Sequence, residues 1–293
     1  MKKESIIPIR SFLFVPGNHP KKIAKVFKLG SDAVILDLED AVAISEKEDT
    51  RRAVVDAMSQ TRSCRGYIRV NSLGTQFCED DILYVIGDKL DGIVLPKVED
   101  AETIKRVDQL MTSAEQRKGL TTGIIDLMPI IETARGVEHA TAIAQASPRV
   151  TRIAFGGGDY TLDLNYEWTE DEDVLAYARA KLSHASRIAN IEPPIDTVVL
   201  QINDDRRFEE SAARGKKFGF GGKLCIHPSQ VPLCNALFMP SDAEIDHANA
   251  VIAAFEEAES SGSASIQLNG YFIDYPIVYK AQHIIALSKA FKR

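Results

Sequence analysis

Four absences narrow the field before any motif is weighed. No run of about 18 apolar residues occurs in the 293-residue chain, so nothing in the pattern reads as a membrane-spanning helix. Positive charge is in deficit: the formal net charge of −7 argues against a nucleic-acid or anionic-membrane partner and favours small organic substrates. The four cysteines, Cys64, Cys78, Cys225 and Cys234, show no C-x-x-C spacing, and two lie near apolar runs where buried free thiols are common, so a reducing compartment is expected. No G-x-G-x-x-G or G-K-[ST] loop opens a helix, which removes the fingerprints of dinucleotide and P-loop sites. The start, MKKESIIPIR, has two lysines but lacks the apolar stretch of a signal peptide, and a cytoplasmic location is the expectation.

What is present is an ordinary soluble composition, 45% hydrophobic and 26% charged, at a length that holds one large barrel or two modest domains. Short runs rich in Val, Ile and Leu alternate with longer segments of helical period, the pattern of parallel strands joined by crossover helices. The runs are SFLFV (11–15), AVILDL (33–38), YIRV (67–70), GIVLP (92–96), LMPII (127–131), RIAF (152–155), IDTVV (195–199) and KLCI (223–226). Eight such units predict an α/β (β/α)8 TIM barrel over residues 1–240, where a doubly wound sheet would need fewer strands and a nucleotide fingerprint. Residues 241–293 change character: a helix-like SDAEIDHANAVIAAFEEAE, a Gly/Ser break at 261–265, then IQLNGYFIDYPIVYKAQHIIALSKAF. This C-terminal helical extension is read as an appendage, and the pattern leaves open whether it is a lid or packs on a barrel wall.

Barrel enzymes carry their chemistry at the C-terminal strand ends. Two carboxylates there, Glu132 in LMPIIETARG and Asp159 in RIAFGGGDYT, stand one strand-helix-strand unit apart, close enough in a parallel sheet to share a hard cation, and read as a Mg2+ site. Either acid alone would pass for an exposed strand end or a helix cap. Asp37, Glu39 and Asp40 follow the second run, Arg69 and Asn71 the third, Lys97 the fourth, His227 the eighth. Crowded carboxylates raise one another's pKa unless cations intervene, so the cluster asks for a metal and for Arg69, an arginine in an apolar strand that is buried only if paired. Asp37 and Glu39 share a face, while Asp40 points elsewhere or caps the next helix. Lys97 reads more often as a solvated strand end, and His227 before Pro228 more often as a turn residue hydrogen-bonded to backbone than as a general base. The glycines of FGGGDY read as a tight turn that lets a ligand approach backbone. Lys21 and Lys22, opening the first helix, are candidate cofactor-binding residues through phosphate, although exposed lysine pairs are common.

Taken together, RSFLFVPGNHPKKIAK, SDAVILDLEDAVAISEKEDTR, YIRVNSLGT, GIVLPKVE, PIIETARGV, FGGGDYTLDL, PPIDTV and GKLCIHPSQV resemble the successive blocks of the citrate lyase beta subunit-like family, which includes malyl-CoA and citramalyl-CoA lyases. The resemblance runs from about residue 10 to 240 and more weakly beyond. It implies a TIM barrel assembled as a homotrimer or hexamer, Mg2+, and cleavage of a carbon–carbon bond beside a CoA or acyl-carrier thioester, releasing an acyl-CoA and a 2-keto acid. By motif, Glu132 and Asp159 match the family's magnesium ligands, Arg69 its substrate-binding arginine, and Asp37 and Glu39 the acids lining the metal's water shell. Arg69 is then expected to face the thioester oxygen where enolate charge develops. One departure stands out. Where relatives carry a VDGKMID-like stretch, this chain has LNGYFID, with Asn269 in place of the acid and Tyr271 in place of the lysine. Asn269 can bind substrate through hydrogen bonds, as Arg69 and Glu132 do on this reading, but it cannot take a proton at neutral pH, which leaves the base to a metal-bound water, Glu39 or Asp37. The expected activity is Mg2+-dependent lysis of a citryl-, malyl- or citramalyl-type CoA thioester. The alternatives are a CoA-independent 2-keto acid aldolase or a weakly active protein that binds 2-keto acid or CoA.

Overall fold

The computed structural model describes residues 8–291; the segment read above for a leader lies, up to residue 7, outside the described residues. Eight parallel strands close into a barrel in sequence order: β1 (Ser11–Pro16), β2 (Ala33–Asp37), β3 (Arg65–Arg69), β4 (Gly92–Leu95), β5 (Asp126–Ile131), β6 (Ala154–Phe155), β7 (Ile195–Asp196) and β8 (Gly222–Cys225), with β8 pairing back to β1. Helices connect them, so the predicted (β/α)8 TIM barrel is the observed fold. The last residue of the second, third, fourth and eighth runs falls outside its strand, and two strands are much shorter than their runs: β6 keeps only the last two residues of RIAF and β7 only the first two of IDTVV.

Burial on both faces explains why the runs are continuous. The inward residues Phe12, Ile35, Tyr67, Val94, Met128, Ile130, Ala154, Ile195 and Leu224 form one barrel core, and the residues between them pack outward against the helices. Tyr67 sits edge-on to Phe12 with ring centroids 5.5 Å apart, and its hydroxyl donates to Asp126 at 2.8 Å. The ring lies against Gly92, where an added Cβ would come within 2.2 Å of Tyr67 Cε1. None of the four cysteines is paired. Among the described residues no helix is long and apolar enough to cross a membrane.

The chain divides into two compact units, one holding Ile9–Asn235 and one built on the segment from Ala236 onward. In the second unit, Ser241 and Glu244 form a reciprocal capping box that starts the helix Asp242–Ser260. A hairpin follows, β9 (Ile266–Leu268) antiparallel to β10 (Tyr271–Ile273), and then the helix Tyr275–Phe291. Ala248, Val251, Phe255, Ile273, Val278 and Ala281 make the core of this unit. Asn269 and Gly270 turn the hairpin with φ of 52° and 85°, the doubly left-handed geometry that two-residue loops use and that Asn-Gly favours.

Gly92→Ala is expected to lower stability by about 1–3 kcal/mol through overpacking against Tyr67. Urea denaturation measures it; an unchanged midpoint would show that the Tyr67 ring yields freely.

Candidate active site

The site is the continuation of the barrel core by one more layer. Inward positions recur every second residue, so the layer above Ile35, Tyr67 and Ile130 consists of Asp37, Arg69 and Glu132. Apolar residues fill the barrel until its C-terminal mouth, where the same faces turn charged. Register then decides who meets whom: Asp37 and Arg69 are direct partners across β2 and β3. Arg69 Nε donates to Asp37 Oδ1 at 2.7 Å and Nη2 to Oδ2 at 2.6 Å, a bidentate fork. The backbone N–H groups of Glu39 and Ala41 donate to the same carboxylate at 2.9 and 3.2 Å, so Asp37 takes four donors. Burial works against the Arg69 charge, but the Asp37 carboxylate beside it more than compensates and holds the guanidinium above its ordinary value. Arg69 also lies over the Phe14 ring, 4.9 Å from its centroid.

Glu39 is buried at 5% exposure. Lys97 Nζ donates to its Oε1 at 2.6 Å. Its Oε2 lies 3.0 Å from Arg69 Nη1, close enough to pair electrostatically, yet it receives no aligned hydrogen bond. Burial raises the Glu39 pKa; Arg69 and Lys97 pull against that shift without cancelling it.

Glu132, one residue past the end of β5, is 3% exposed. Its Oε1 accepts the backbone N–H of Lys97 at 2.7 Å, and Lys97 takes φ of 54° at that point, a left-handed conformation uncommon for a lysine. Its Oε2 occupies the space a side chain at Gly156 would need: a Cβ there would stand 2.2 Å away. Burial first, and the Asp159 charge second, push Glu132 up to about 8. Asp159, half-buried, has no hydrogen-bond or ion-pair partner among the described residues. Two buried or half-buried carboxylates that repel each other, one with an oxygen free of donors and one with no partner, are a donor set short of a cation. No group of three or more His, Cys, Asp or Glu among the described residues forms a closed metal cage. A hard divalent ion that takes one or two carboxylates and fills its remaining positions with water or substrate oxygens fits this pair.

The structure brings Asp37, Glu39, Asp40, Arg69, Lys97 and Glu132 together and corrects several details. Asp159 does not end a strand. It lies in the first turn of the helix Gly157–Asp163, which begins directly after Gly156, with the Gly157 N–H on Thr197 Oγ1 at 2.8 Å. The three glycines open that helix and none has positive φ, so they make no tight turn; Gly156 is approached by the Glu132 carboxylate. Asp40 caps nothing: it is exposed, 3.4 Å from Lys97 and 3.9 Å from Arg69. Lys97 is more than a solvated strand end, since it pairs with two acids. His227 is a turn residue with Nδ1 2.8 Å from Ser229 Oγ. Lys21 and Lys22 are exposed in the helix Pro20–Val26, and Lys22 alone lines the cleft of about 440 Å3 shared by Phe14, Asp37, Arg69, Val198 and Leu200. Asn269 belongs to the C-terminal unit and occupies the hairpin turn.

Sequence reading missed Lys47. Buried on the helix Lys47–Met58, it places its three donors on Leu38 O, Glu39 O and Asn71 Oδ1 at 2.7–2.9 Å, which fixes the loop carrying Glu39. Nothing in the helical pattern separates it from its solvated neighbours. Thr133 was the recoverable one: its side chain accepts from Gly136 N and starts the helix Ala134–Glu138, an N-cap that Thr-x-x-Gly permits.

The raised Glu132 pKa has a stability consequence. Between its ordinary 4.5 and about 8, the folded protein holds a proton that the unfolded chain has lost, so stability falls as pH rises through that window and levels off above it. Glu132→Gln, which carries no titrating group and still accepts from Lys97, removes that slope. In metal-free buffer the variant is expected to gain on the parent progressively from pH 5 to pH 8. Urea midpoints across this range test it; parallel profiles would mean Glu132 is ionised at neutral pH.

Comparison with known proteins agrees with this architecture. The profile of the HpcH/HpaI aldolase/citrate lyase family matches residues 10–228. The citrate lyase subunit beta of Leuconostoc mesenteroides subsp. cremoris is 38% identical over 283 residues, covering 96% of this chain and 93% of that protein. An L-malyl-CoA/beta-methylmalyl-CoA lyase of Cereibacter sphaeroides (strain ATCC 17025 / ATH 2.4.3) is 32% identical, covering 95% and 94%. The crystal structure of protein CitE from Mycobacterium tuberculosis, in complex with magnesium, acetoacetate and coenzyme A, superposes with a TM-score of 0.80 at 27% identity, over 96% of this chain and 98% of that one. With its barrel closed in sequence order and its charged layer at the strand ends, the chain belongs to the HpcH/HpaI aldolase/citrate lyase family and is a carbon–carbon lyase.

Proposed function

We propose that this protein is a Mg2+-dependent lyase that cleaves, or forms, the carbon–carbon bond of a 2-hydroxy acid CoA thioester of the citryl, malyl or citramalyl type, exchanging it for an acyl-CoA and a 2-keto acid. The observation that carries it is the donor set of Glu132 and Asp159, an inward carboxylate pushed up to about 8 and a partnerless one beside it. The relatives add the substrate class: one is named for malyl-CoA, and a solved neighbour holds magnesium, a keto acid and coenzyme A. Glu132 and Asp159 would hold Mg2+, whose charge, when bound, supplies polarisation of the 2-keto or 2-hydroxy oxygens.

Two acids divide the remaining work. Asp37 has both oxygens committed to four donors, so its role is to orient Arg69. Glu39 keeps one oxygen without an aligned donor and has a raised pKa, the properties of a general base that accepts the hydroxyl proton as the carbon–carbon bond breaks. Arg69, fixed by Asp37 and with Nη1 3.0 Å from Glu39 Oε2, would supply the positive charge that meets negative charge developing on the thioester oxygen. Lys22, on the wall of the same cleft, is the lysine of the pair that would meet a CoA phosphate, a reading its position on that wall supports.

Calorimetry with Mg2+ and pyruvate or oxaloacetate tests the metal pair: Glu132→Gln with Asp159→Asn is expected to abolish Mg2+-dependent keto-acid binding while the barrel persists, and parent-like binding would overturn the assignment. Glu39→Gln is expected to lower thioester cleavage by about 10^2- to 10^4-fold with little change in substrate affinity. An equal loss in Asp37→Asn but none in Glu39→Gln would reverse the two roles. Arg69→Lys keeps the charge and loses the fork, and a fall on the order of 10^2-fold or more in turnover is expected. Turnover of a free 2-keto acid with an aldehyde, and none with acyl-CoA, would instead identify a CoA-independent aldolase.

A further inference from the structure

Beyond the end of β7 lies a second, smaller cavity of about 80 Å3, lined by Trp168, Glu172, Val199, Leu200, Gln201 and Arg207. Two of its lining residues carry buried N–H donors, Trp168 Nε1 and Arg207 Nε, that find no acceptor among the described residues. Arg207 is 6% exposed. The rest of its guanidinium is used: Nη1 on Glu170 O, Nη2 on Thr169 O at 3.3 Å and on Glu172 Oε1 at 3.1 Å. An unsatisfied buried donor gives up its hydration with nothing in return, and such groups are few in a native protein.

The charge around this cavity does not balance either. Glu172 Oε2 accepts from Arg179 at 2.7 Å and from Ser211 at 3.1 Å. Asp196 accepts from Arg179 at 3.0 Å and from Lys223 at 2.9 Å. All five charged members, Arg179, Arg207, Lys223, Glu172 and Asp196, are under 9% exposed. Within the buried hydrogen-bonded set three cations thus meet two carboxylates; the further acid that feels Arg207, Asp171, is exposed to solvent, so the buried set itself carries one positive charge in excess. Glu172 itself holds φ of 57°, a left-handed position uncommon for a glutamate.

We infer that this cavity is a binding site for one small monovalent anion, a halide or a carboxylate head of formate size, accepting from Trp168 Nε1 and Arg207 Nε and neutralising the network. Its volume exceeds what a single water needs. Two features connect the site to the barrel mouth. Leu200 is a wall of both this cavity and the Arg69 cleft, and the Trp168 ring lies 3.7 Å from where a Cβ on Gly158, next to Asp159, would stand. Occupancy therefore braces the loop after β7.

Trp168 is the chain's single tryptophan, so its emission reports the site directly. The full-length protein is titrated with sodium chloride or sodium formate, and ionic strength is held constant with gluconate, which is too large for the cavity. A saturable change in emission and a concentration-dependent rise in Tm are expected with chloride and formate, and neither with gluconate. Trp168→Phe, followed by Tm, and Arg207→Lys, followed by both readouts, each remove one donor and are expected to weaken the anion dependence about tenfold. Linear responses identical to those in gluconate would show that the cavity holds water only. A parent-like Tm rise in Trp168→Phe would place the anion elsewhere. Should either variant fail to fold, the parent titration decides alone.

Discussion

The burial of Glu132 is the constraint around which the barrel mouth is organised. A carboxylate in that position resists ionisation, and among the described residues it receives a single backbone N–H and no side-chain hydrogen bond or ion pair, the Arg69 charge acting only at a distance. Three neighbouring features follow from making room for it. Gly156 has no side chain because the carboxylate occupies the space, Lys97 adopts a left-handed backbone to aim its amide, and Asp159 is added on a helix whose first turn begins at once after the glycine. Each is costly or restrictive alone, and each makes sense if the pair of acids is completed by a charge that the folded chain does not contain.

The cations that are present serve the other acids. Arg69 is committed to Asp37 and Lys97 to Glu39, so the mouth contains one region of matched charge and one of unmatched negative charge. This separation is geometric: β2 and β3 are in register at Asp37 and Arg69, whereas Glu132 stands on the other side of β4 with only Lys97's amide hydrogen-bonded to it among the described residues.

Much of this was legible in the chain. Eight apolar runs at barrel spacing specify the fold because both faces of each strand are buried, and the period of two carries the inward face from Ile35 to Asp37, from Tyr67 to Arg69 and from Ile130 to Glu132. What stayed hidden depends on three-dimensional detail without a sequence period. Lys47 looks like any lysine on an amphipathic helix until its three acceptors are seen, and the helical start at Gly157 turns on a hydroxyl forty residues away at Thr197. Asn269 is legible from local chemistry, since Asn-Gly between alternating residues is a strong hairpin signal and the residue takes the left-handed φ that such a turn needs.

Lys97 links the two regions in a way that makes it divisible. Its ammonium belongs to Glu39 and Asp40, its amide to Glu132. Truncating the side chain silences the first connection and spares the second, while a glycine there, at ease in the left-handed region, would relieve the backbone and still deliver the N–H. A proline would do the reverse of both, deleting the amide and refusing the conformation. One position thus offers separate handles on the proton-transfer acid and on the cation-holding acid, which a substitution at either carboxylate cannot provide.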